Sequence, residues 1–132
     1  MTDTQTPAPG GAMPRTVAIV GASSARNKFG NKAVRAYLRR GWTVYPVNPT
    51  ETAIEGLRAY PSVESIPGPI ERVSMYVPPS VGITLLDGIR RKNPADVFLN
   101  PGSESEALET HAASLGLHLV VACSIVAIGE VP

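Results

Sequence analysis

Residues 17 to 30 read Val17-Ala18-Ile19-Val20-Gly21-Ala22-Ser23-Ser24-Ala25-Arg26-Asn27-Lys28-Phe29-Gly30. The first four are apolar and predict a buried strand, which ends at Gly21 in a short loop with two bases. A helix is expected after this loop, because apolar residues recur at helical spacing from residue 31 onward. A strand, a glycine turn and a helix direct backbone N–H groups and the positive end of the helix at one point. Such a point binds a phosphate group.

The rest of the chain predicts further strands that alternate with helices. Strands are expected at residues 16–20, 42–47, 72–77, 95–99 and 117–122, and the first helix at residues 31–40. A second helix should begin near Ser80 and a third at a capping box formed by Ser103 and Glu106. The residues expected to face inward on these two helices are Val81, Leu85, Leu86 and Ile89, and then Ala107, Leu108, Ala112 and Leu115. Residues 51–68 are undecided, with one helical turn at 62–66, and the last ten residues are expected to form a loop.

This alternation predicts the fold class and the domain organisation. Strands followed by helices favour an α/β domain with a five-stranded, mainly parallel sheet between two layers of helices. The domain is expected to occupy residues 15–132. Residues 1–14 are rich in Thr, Pro, Ala and Gly, so we expect a disordered tail there.

Composition limits the class of protein. The 132 residues, 43% of them apolar, suffice for one domain with a single core. No apolar run approaches the roughly 18 residues that cross a bilayer, and the first residues do not resemble a secretory signal. The single cysteine, Cys123, excludes an internal disulfide, so a cytoplasmic protein is expected. Aromatic residues make up only 5% of the chain and no reader motif is present, which disfavours nucleic acid as a partner.

Basic residues are concentrated in the first third of the chain. Between Asp3 and Glu51 there are seven bases and no acid: Arg15, Arg26, Lys28, Lys32, Arg35, Arg39 and Arg40. Arg26 and Lys28 lie in the loop after the first strand, where a polyphosphate would bind. Arg35, Arg39 and Arg40 lie on the following helix, and a solvated basic face explains them equally well.

The loops at the C-terminal ends of the strands are expected to form a ligand site. They contain Gly21-Ala22-Ser23, Asn48-Pro49, Val77-Pro78-Pro79 and Asn100-Pro101-Gly102. Ligands of open parallel sheets bind at this edge, near the point where the strand order reverses. Proline stiffens three of the four loops, so they should present a rigid wall.

The two common nucleotide-binding signatures are not present. The dinucleotide pattern G-x-G-x-x-G needs glycine at positions 23 and 26, which hold Ser23 and Arg26. The acid that binds the adenosine ribose should end the second strand, where Asn48-Pro49 stands instead. No Gly-Lys-Ser/Thr follows Gly21, so the P-loop is also excluded. A phosphorylated ligand other than a typical NAD or ATP is therefore indicated.

Three stretches resemble the stand-alone CoA-binding proteins. They are Ala18-Ile19-Val20-Gly21-Ala22-Ser23 with Lys28 and Gly30, then Val44-Tyr45-Pro46-Val47-Asn48-Pro49, then Ser74-Met75-Tyr76-Val77-Pro78-Pro79. These proteins are similar to the N-terminal CoA-binding domain of the succinyl-CoA synthetase α subunit. The resemblance covers roughly residues 15–128. Many members have a Gln-x-Gly-like stretch after the fourth strand, where this chain has Asn100-Pro101-Gly102.

The resemblance implies a Rossmann-like domain that binds coenzyme A across the C-terminal edge of the sheet. Gly21, Ala22 and Ser23 would lie along the pantetheine–diphosphate path, and Lys28 would contact a phosphate. Asn48 and Pro49 would flank the adenine or ribose, while Val77, Pro78 and Pro79 would pack on the adenine or pantetheine. Arg26, Gly30, Asn100 and Gly102 complete the expected site. The phosphorylated histidine of the synthetase belongs to a second domain, so ligase activity is not expected.

The residues themselves indicate a binding protein rather than an enzyme, although alternatives stay open. The expected function is to bind CoA or an acyl-CoA as a carrier, sensor or regulator, together with a separate protein partner. No catalytic or metal-binding cluster is found, and His111 and His118 are expected to be packing or surface residues. The alternatives are an NAD(P)-dependent oxidoreductase, a CoA-thiol exchange protein that uses Cys123, and an interaction module whose ligand site has decayed.

Overall fold

The structure, a computed structural model, describes residues 15–132, and its centre is a five-stranded parallel sheet. The strands of this sheet are β1 (Thr16–Val20), β2 (Thr43–Val47), β5 (Arg72–Met75), β6 (Asp96–Leu99) and β7 (Leu119–Val121). A separate hairpin consists of β3 (Ala53–Ile54) and β4 (Leu57–Arg58). The helices are α1 (Phe29–Arg39), α2 (Pro79–Lys92), α3 (Glu106–Ser114) and α4 (Ser124–Ala127). The α/β class predicted from the alternation is confirmed, and the expected tail at residues 1–14 lies outside the described residues.

The strand order of the sheet is β2-β1-β5-β6-β7. The chain moves outward from β1 to β2 and then crosses back, so that β5 pairs with the other side of β1. The order therefore reverses between β1 and β5, which is the point where ligands of such sheets bind. The C-terminal ends of these two strands bring Gly21 next to Tyr76 and Val77.

Helices cover both faces of the sheet, which explains why β1 is apolar without interruption. Ala18 and Val20 pack in one buried cluster with residues of α2 and α3, such as Leu86 and Leu108. Val17 and Ile19 face the opposite way and pack with residues of α1 and α4. The four apolar side chains of β1 are all buried, because alternate positions of a strand point to opposite faces and both faces are covered here.

The undecided segment contains structure that the sequence did not predict. The hairpin β3–β4 turns at Glu55 and Gly56, both of which have positive φ (50° and 76°). An isolated parallel bridge joins Val47 to Tyr60 and so attaches this segment to the end of β2. The helical turn expected at residues 62–66 is only a hydrogen-bonded turn, in which Ile66 N–H donates to Val63 O at 3.1 Å.

Three predictions on the second and third helices are wrong in detail. The residue that caps α3 is Ser105, whose side chain accepts a hydrogen bond from Leu108 N–H, whereas Ser103 is buried and donates to Val77 O. The helix therefore begins at Glu106, and its buried residues are Leu108 and Ala112, so that Ala107 faces solvent. On α2, Val81 is 45% exposed rather than inward.

The last ten residues are not a plain loop. They contain α4, and Ile125 is fully buried against α1. Tyr37 Oη donates to Ser124 O at 3.0 Å, and Glu130 accepts from both Arg39 and Arg40. The basic face of α1 is therefore largely occupied by the end of the chain. Within residues 15–132 no helix is long and apolar enough to span a membrane.

Candidate functional site

A cavity of about 650 Å³ opens where the strand order reverses. Its lining comes from the loops after β1, β2, β5 and β6 and from the first turn of α1. The lining residues are Gly21, Ala22, Ser23, Lys28, Phe29, Gly30, Asn48, Glu51, Tyr76, Val77, Pro78, Pro101, Gly102 and Ser103. We call this volume the first cavity.

Close packing of backbone on backbone shapes the floor of the first cavity. A Cβ on Gly30 would lie 2.2 Å from Gly21 O, and one on Gly21 would lie 2.7 Å from Tyr76 O. Gly21 also has a φ of +88°, which favours glycine. These two glycines allow the loop after β1, the start of α1 and the end of β5 to meet without an intervening side chain.

The start of α1 gives the first cavity a positive character. Lys28 is the N-cap residue of α1 and its side chain makes no capping hydrogen bond. The first helical N–H groups, those of Phe29 and Gly30, have no acceptor within the helix. The first turn contains no acidic residue, so the positive end of the helix is not neutralised from within. Lys28 and these N–H groups together can bind a phosphate.

The Asn48 side chain lines the first cavity but is used to hold the site together. Its Nδ2 donates to Ala22 O at 2.9 Å, and its Oδ1 accepts from the N–H groups of Thr50 and Glu51 at 2.8 and 2.9 Å. Asn48 therefore joins the loop after β2 to the loop after β1. The turn that it closes brings Glu51 into the cavity.

Glu51 is a functional candidate that sequence reasoning missed. Ser24 N–H donates to its Oε2 at 3.1 Å. Hydrogen bonds from the Ser24 side chain and N–H lower the pKa of Glu51, and the charge of Lys28 lowers it further. Glu51 is therefore ionised at neutral pH. Its place three residues after Asn48, in a turn of the Asn-x-x type, was the available signal.

Tyr76 is a second missed residue, and it joins the first cavity to a buried polar cluster. Its Oη lies 3.3 Å from Ser124 Oγ, and burial raises the pKa of Tyr76 to about 12. The phenol therefore stays neutral at physiological pH. The other lining residues that were not predicted are Phe29 and Ser103, each adjacent in sequence to a predicted residue, while Pro101 belongs to the predicted loop Asn100-Pro101-Gly102.

A smaller cavity of about 300 Å³ adjoins the first and shares Gly21 and Val77 with it. It is mostly apolar, and we call it the second cavity. Its other lining residues are Val20, Val47, Pro49, Pro61, Ser62, Val63, Glu64, Val81, Leu85 and Ile89. The exposure of Val81 has its explanation here, because this side chain borders the open volume.

The structure brings most of the predicted site residues together. Pro49 lines the second cavity rather than the first, and three predicted residues line neither. Arg26 is paired with Glu55 (Nε to Oε2, 3.3 Å), and Pro79 begins α2. Asn100 is 1% exposed and forms hydrogen bonds inside the fold with Ser74, Met75 and Ser124.

Cys123, the candidate for thiol exchange, is half-buried. Like Tyr76, it packs against the apolar cluster on the α1 face of the sheet, which includes Ile19 and Ile125. It is not among the residues that line the two cavities. His111 lies 3.5 Å from Asp87 on the neighbouring helix, and His118 is exposed. Among residues 15–132 no group of His, Cys, Asp and Glu side chains is arranged to hold a metal ion.

Comparison with known proteins gives a consistent result. A family model described as a CoA-binding domain matches residues 15–129. The α subunit of acetate–CoA ligase (ADP-forming) II from Pyrococcus furiosus is 40% identical over 68 residues, which are 49% of this chain and 14% of the relative. Acetate–CoA ligase (ADP-forming) I from Archaeoglobus fulgidus is 31% identical over 97 residues, 73% of this chain and 14% of the relative. The chain thus matches only a small part of each curated relative.

Solved structures share the fold. A conserved hypothetical protein from Pyrococcus furiosus has a TM-score of 0.79 and 32% identity, covering 86% of this chain and 98% of that one. The apo form of the dinucleotide-forming acetyl-coenzyme A synthetase 1 from Ca. Korarchaeum cryptofilum has a TM-score of 0.71 and 28% identity. That match covers 81% of this chain and 26% of the synthetase. The same domain thus occurs as nearly a whole chain and as part of a larger enzyme.

Proposed function

Because the chain belongs to the family of CoA-binding domains, we propose that it binds coenzyme A or an acyl-CoA at the C-terminal edge of its sheet. The observation that carries this proposal is the first cavity, in which Lys28 and the uncapped start of α1 face one volume. The volume lies at the reversal of strand order, between β1 and β5. The negatively charged diphosphate of CoA would complement the positive charge of Lys28 and of the start of α1.

The two cavities match the two kinds of chemistry in the ligand. The diphosphate would lie against Lys28 and the N–H groups of Phe29 and Gly30. The second cavity is lined mostly by Val, Pro, Leu and Ile and suits an uncharged part of the ligand. Gly21 and Val77 border both volumes, so one extended molecule could occupy them together.

The physiological role we propose is that of a carrier, sensor or regulator that works with a separate enzyme. The residues that line the two cavities include no cysteine and no histidine. Tyr76 is held neutral by burial, and Glu51 is held ionised by Ser24. This lining supports binding and offers no nucleophile paired with a base. The domain would then supply CoA recognition while chemistry takes place elsewhere.

A ligand panel tests the proposal directly. Calorimetric titration with CoA, acetyl-CoA, NAD, NADP and ATP should show binding of the CoA compounds and much weaker binding of the others. A ligand at 100 times its Kd stabilises the folded state by about 2.7 kcal/mol, so the melting temperature should rise with CoA as well. Tighter binding of NAD or NADP would contradict the proposal and favour an oxidoreductase. If none of the five compounds binds, the result would favour an interaction module whose ligand site has decayed.

Replacing Lys28 locates the phosphate within the site. Lys28→Ala should weaken CoA binding several-fold, because a charged contact to a phosphate contributes about 1–3 kcal/mol. Lys32→Ala is the matched control: it removes the same charge one turn further along α1, from a residue that does not line the first cavity. The assignment is contradicted if the two variants bind CoA with equal affinity.

A further inference from the structure

The Glu51 carboxylate occupies a specific position in the first cavity. Glu51 lies in the loop after β2, the strand next to β1, at the C-terminal edge of the sheet where the ligand is expected. Asn48 Oδ1 accepts from the Glu51 backbone N–H, and Glu51 Oε2 accepts from Ser24 N–H at 3.1 Å and from Asn48 Nδ2 at 3.5 Å. Hydrogen bonds from two loops thus orient this side chain before any ligand arrives. Such preorganisation is typical of a recognition residue.

An acid at this position has a chemical precedent in nucleotide-binding sheets. Where an acid follows the second strand, its oxygens accept hydrogen bonds from the hydroxyl groups of the adenosine ribose. In this chain Asn48-Pro49 stands directly after β2, where such an acid would be expected. The turn closed by Asn48 places Glu51 at the same edge of the sheet, three residues further along the chain.

The charge balance of the first cavity also favours a ribose-binding role for Glu51. Among its lining residues, Lys28 is the only cation and Glu51 is the only anion. Arg26 is paired with Glu55, and Arg35 donates to Asn31 and to Arg26 O. Lys28 and the start of α1 are thus the groups left for a diphosphate. A further phosphate on the ribose would meet Glu51 with no cation of its own, and like charges in contact disfavour that ligand.

We propose that Glu51 accepts the ribose hydroxyl groups of the ligand and makes the site prefer a ribose without a phosphate. The ligand class is a CoA-type adenosine diphosphate whose 2′- and 3′-hydroxyls are both free, and 3′-dephospho-coenzyme A is the probe. This inference rests on the proposed function, since it assumes that a CoA-type ligand occupies the first cavity. It changes the expected ligand from CoA itself to the form without the ribose phosphate.

The test is to titrate CoA and 3′-dephospho-CoA into three proteins: the unaltered chain, Glu51→Gln and Glu55→Gln. Glutamine at position 51 keeps an acceptor for Ser24 N–H but removes the charge. The unaltered protein should bind 3′-dephospho-CoA about tenfold more tightly than CoA, and Glu51→Gln should abolish that preference. Glu55→Gln removes the same charge from a residue outside the first cavity and should leave the preference intact.

Each result has a defined meaning. Equal affinities, or tighter binding of CoA, in the unaltered protein would overturn the inference while leaving the proposed function in place. So would a preference that survives Glu51→Gln. If neither compound binds the unaltered protein, the proposed function itself fails. The measurement on the unaltered protein does not depend on whether any variant folds.

Discussion

Single residues set the geometry of the first cavity, and Gly30 is the clearest example. Its position in the first turn of α1 places the helix against Gly21 O, where a Cβ would approach to 2.2 Å. The obstructing atom belongs to the backbone and cannot rotate away. Gly30→Ala should therefore displace the helix start, reduce the free energy of unfolding by about 1–3 kcal/mol and weaken CoA binding. Urea denaturation and calorimetric titration measure the two effects.

Gly56→Ala is the matched control for Gly30→Ala. Gly56 lies in the turn between β3 and β4 with φ of +76°, and a Cβ there would meet nothing within 4 Å. Its substitution should cost about 1 kcal/mol through backbone conformation alone and leave CoA binding unchanged. Equal losses of binding in both variants would argue against a local role for Gly30.

Among single residues, some were easier to predict from the sequence than others. Residues that shape the backbone locally were predicted better than residues whose role depends on a tertiary contact. Gly21 and Gly30, which allow backbone segments to approach closely, were both predicted to lie at the site. Ser103 and Ser105 both precede α3, and only Ser103 has an acid three residues later. The capping box was therefore assigned to Ser103, although its hydroxyl is buried and donates to Met75 O and Val77 O.

Among the elements, the end of the chain depends on a buried polar cluster at the ends of β5 and β6. Asn100 Nδ2 donates to Ser74 Oγ and Met75 O, and its Oδ1 accepts from Ser124 N–H at the start of α4. Asn100→Ala should lower the free energy of unfolding by about 2–4 kcal/mol, because it leaves buried partners unpaired. It should also speed hydrogen exchange at Ser124 N–H.

The exposed Asn27 provides the control for the Asn100 variant. Asn27→Ala should change the free energy of unfolding by no more than about 0.5 kcal/mol. Slow exchange at Ser124 in the Asn100→Ala variant would show that α4 is held by its apolar contacts, chiefly Ile125, and would contradict the role of the cluster.

Elements were predictable where the periodic signal is long. The apolar runs of β1, β2 and β6 and the spacing of α1 and α2 identified those elements to within a few residues. The hairpin β3–β4 was missed because each strand has two residues, too few for alternation to be visible. The four residues of α4 were missed for the same reason, since tertiary contacts hold them: hydrogen bonds of Ser124 with Tyr37 and Asn100, and the packing of Ile125.

Over the whole molecule, four of the seven bases in the first third of the chain pair with acids from later in the sequence. Arg15 pairs with Glu71, Arg26 with Glu55, and both Arg39 and Arg40 with Glu130. Neither a composition count nor a local motif could show these pairs, since most of them join residues more than 50 positions apart. The folded chain thus uses much of its basic stretch to connect its parts, while Lys28 faces the first cavity.

These pairs predict how stability depends on pH. The pKa of Glu55 lies below the ordinary value of 4.5, chiefly because Asn31 donates a hydrogen bond to its carboxylate. The pKa of Glu130 is also lowered, because Arg39 and Arg40 both donate to it. A carboxylate with a lowered pKa in the folded state stabilises the protein above its unfolded pKa, and this contribution is lost as the pH falls through the folded pKa. The free energy of unfolding should therefore decrease from about pH 5 toward about pH 3.

In the double variant Glu55→Gln/Glu130→Gln this decrease should be smaller. Glu109 is an exposed acid on α3, and the control variant Glu109→Gln should keep the full decrease. Urea denaturation across this pH range measures the slope, and an unchanged slope in the double variant would assign the acid sensitivity to other groups.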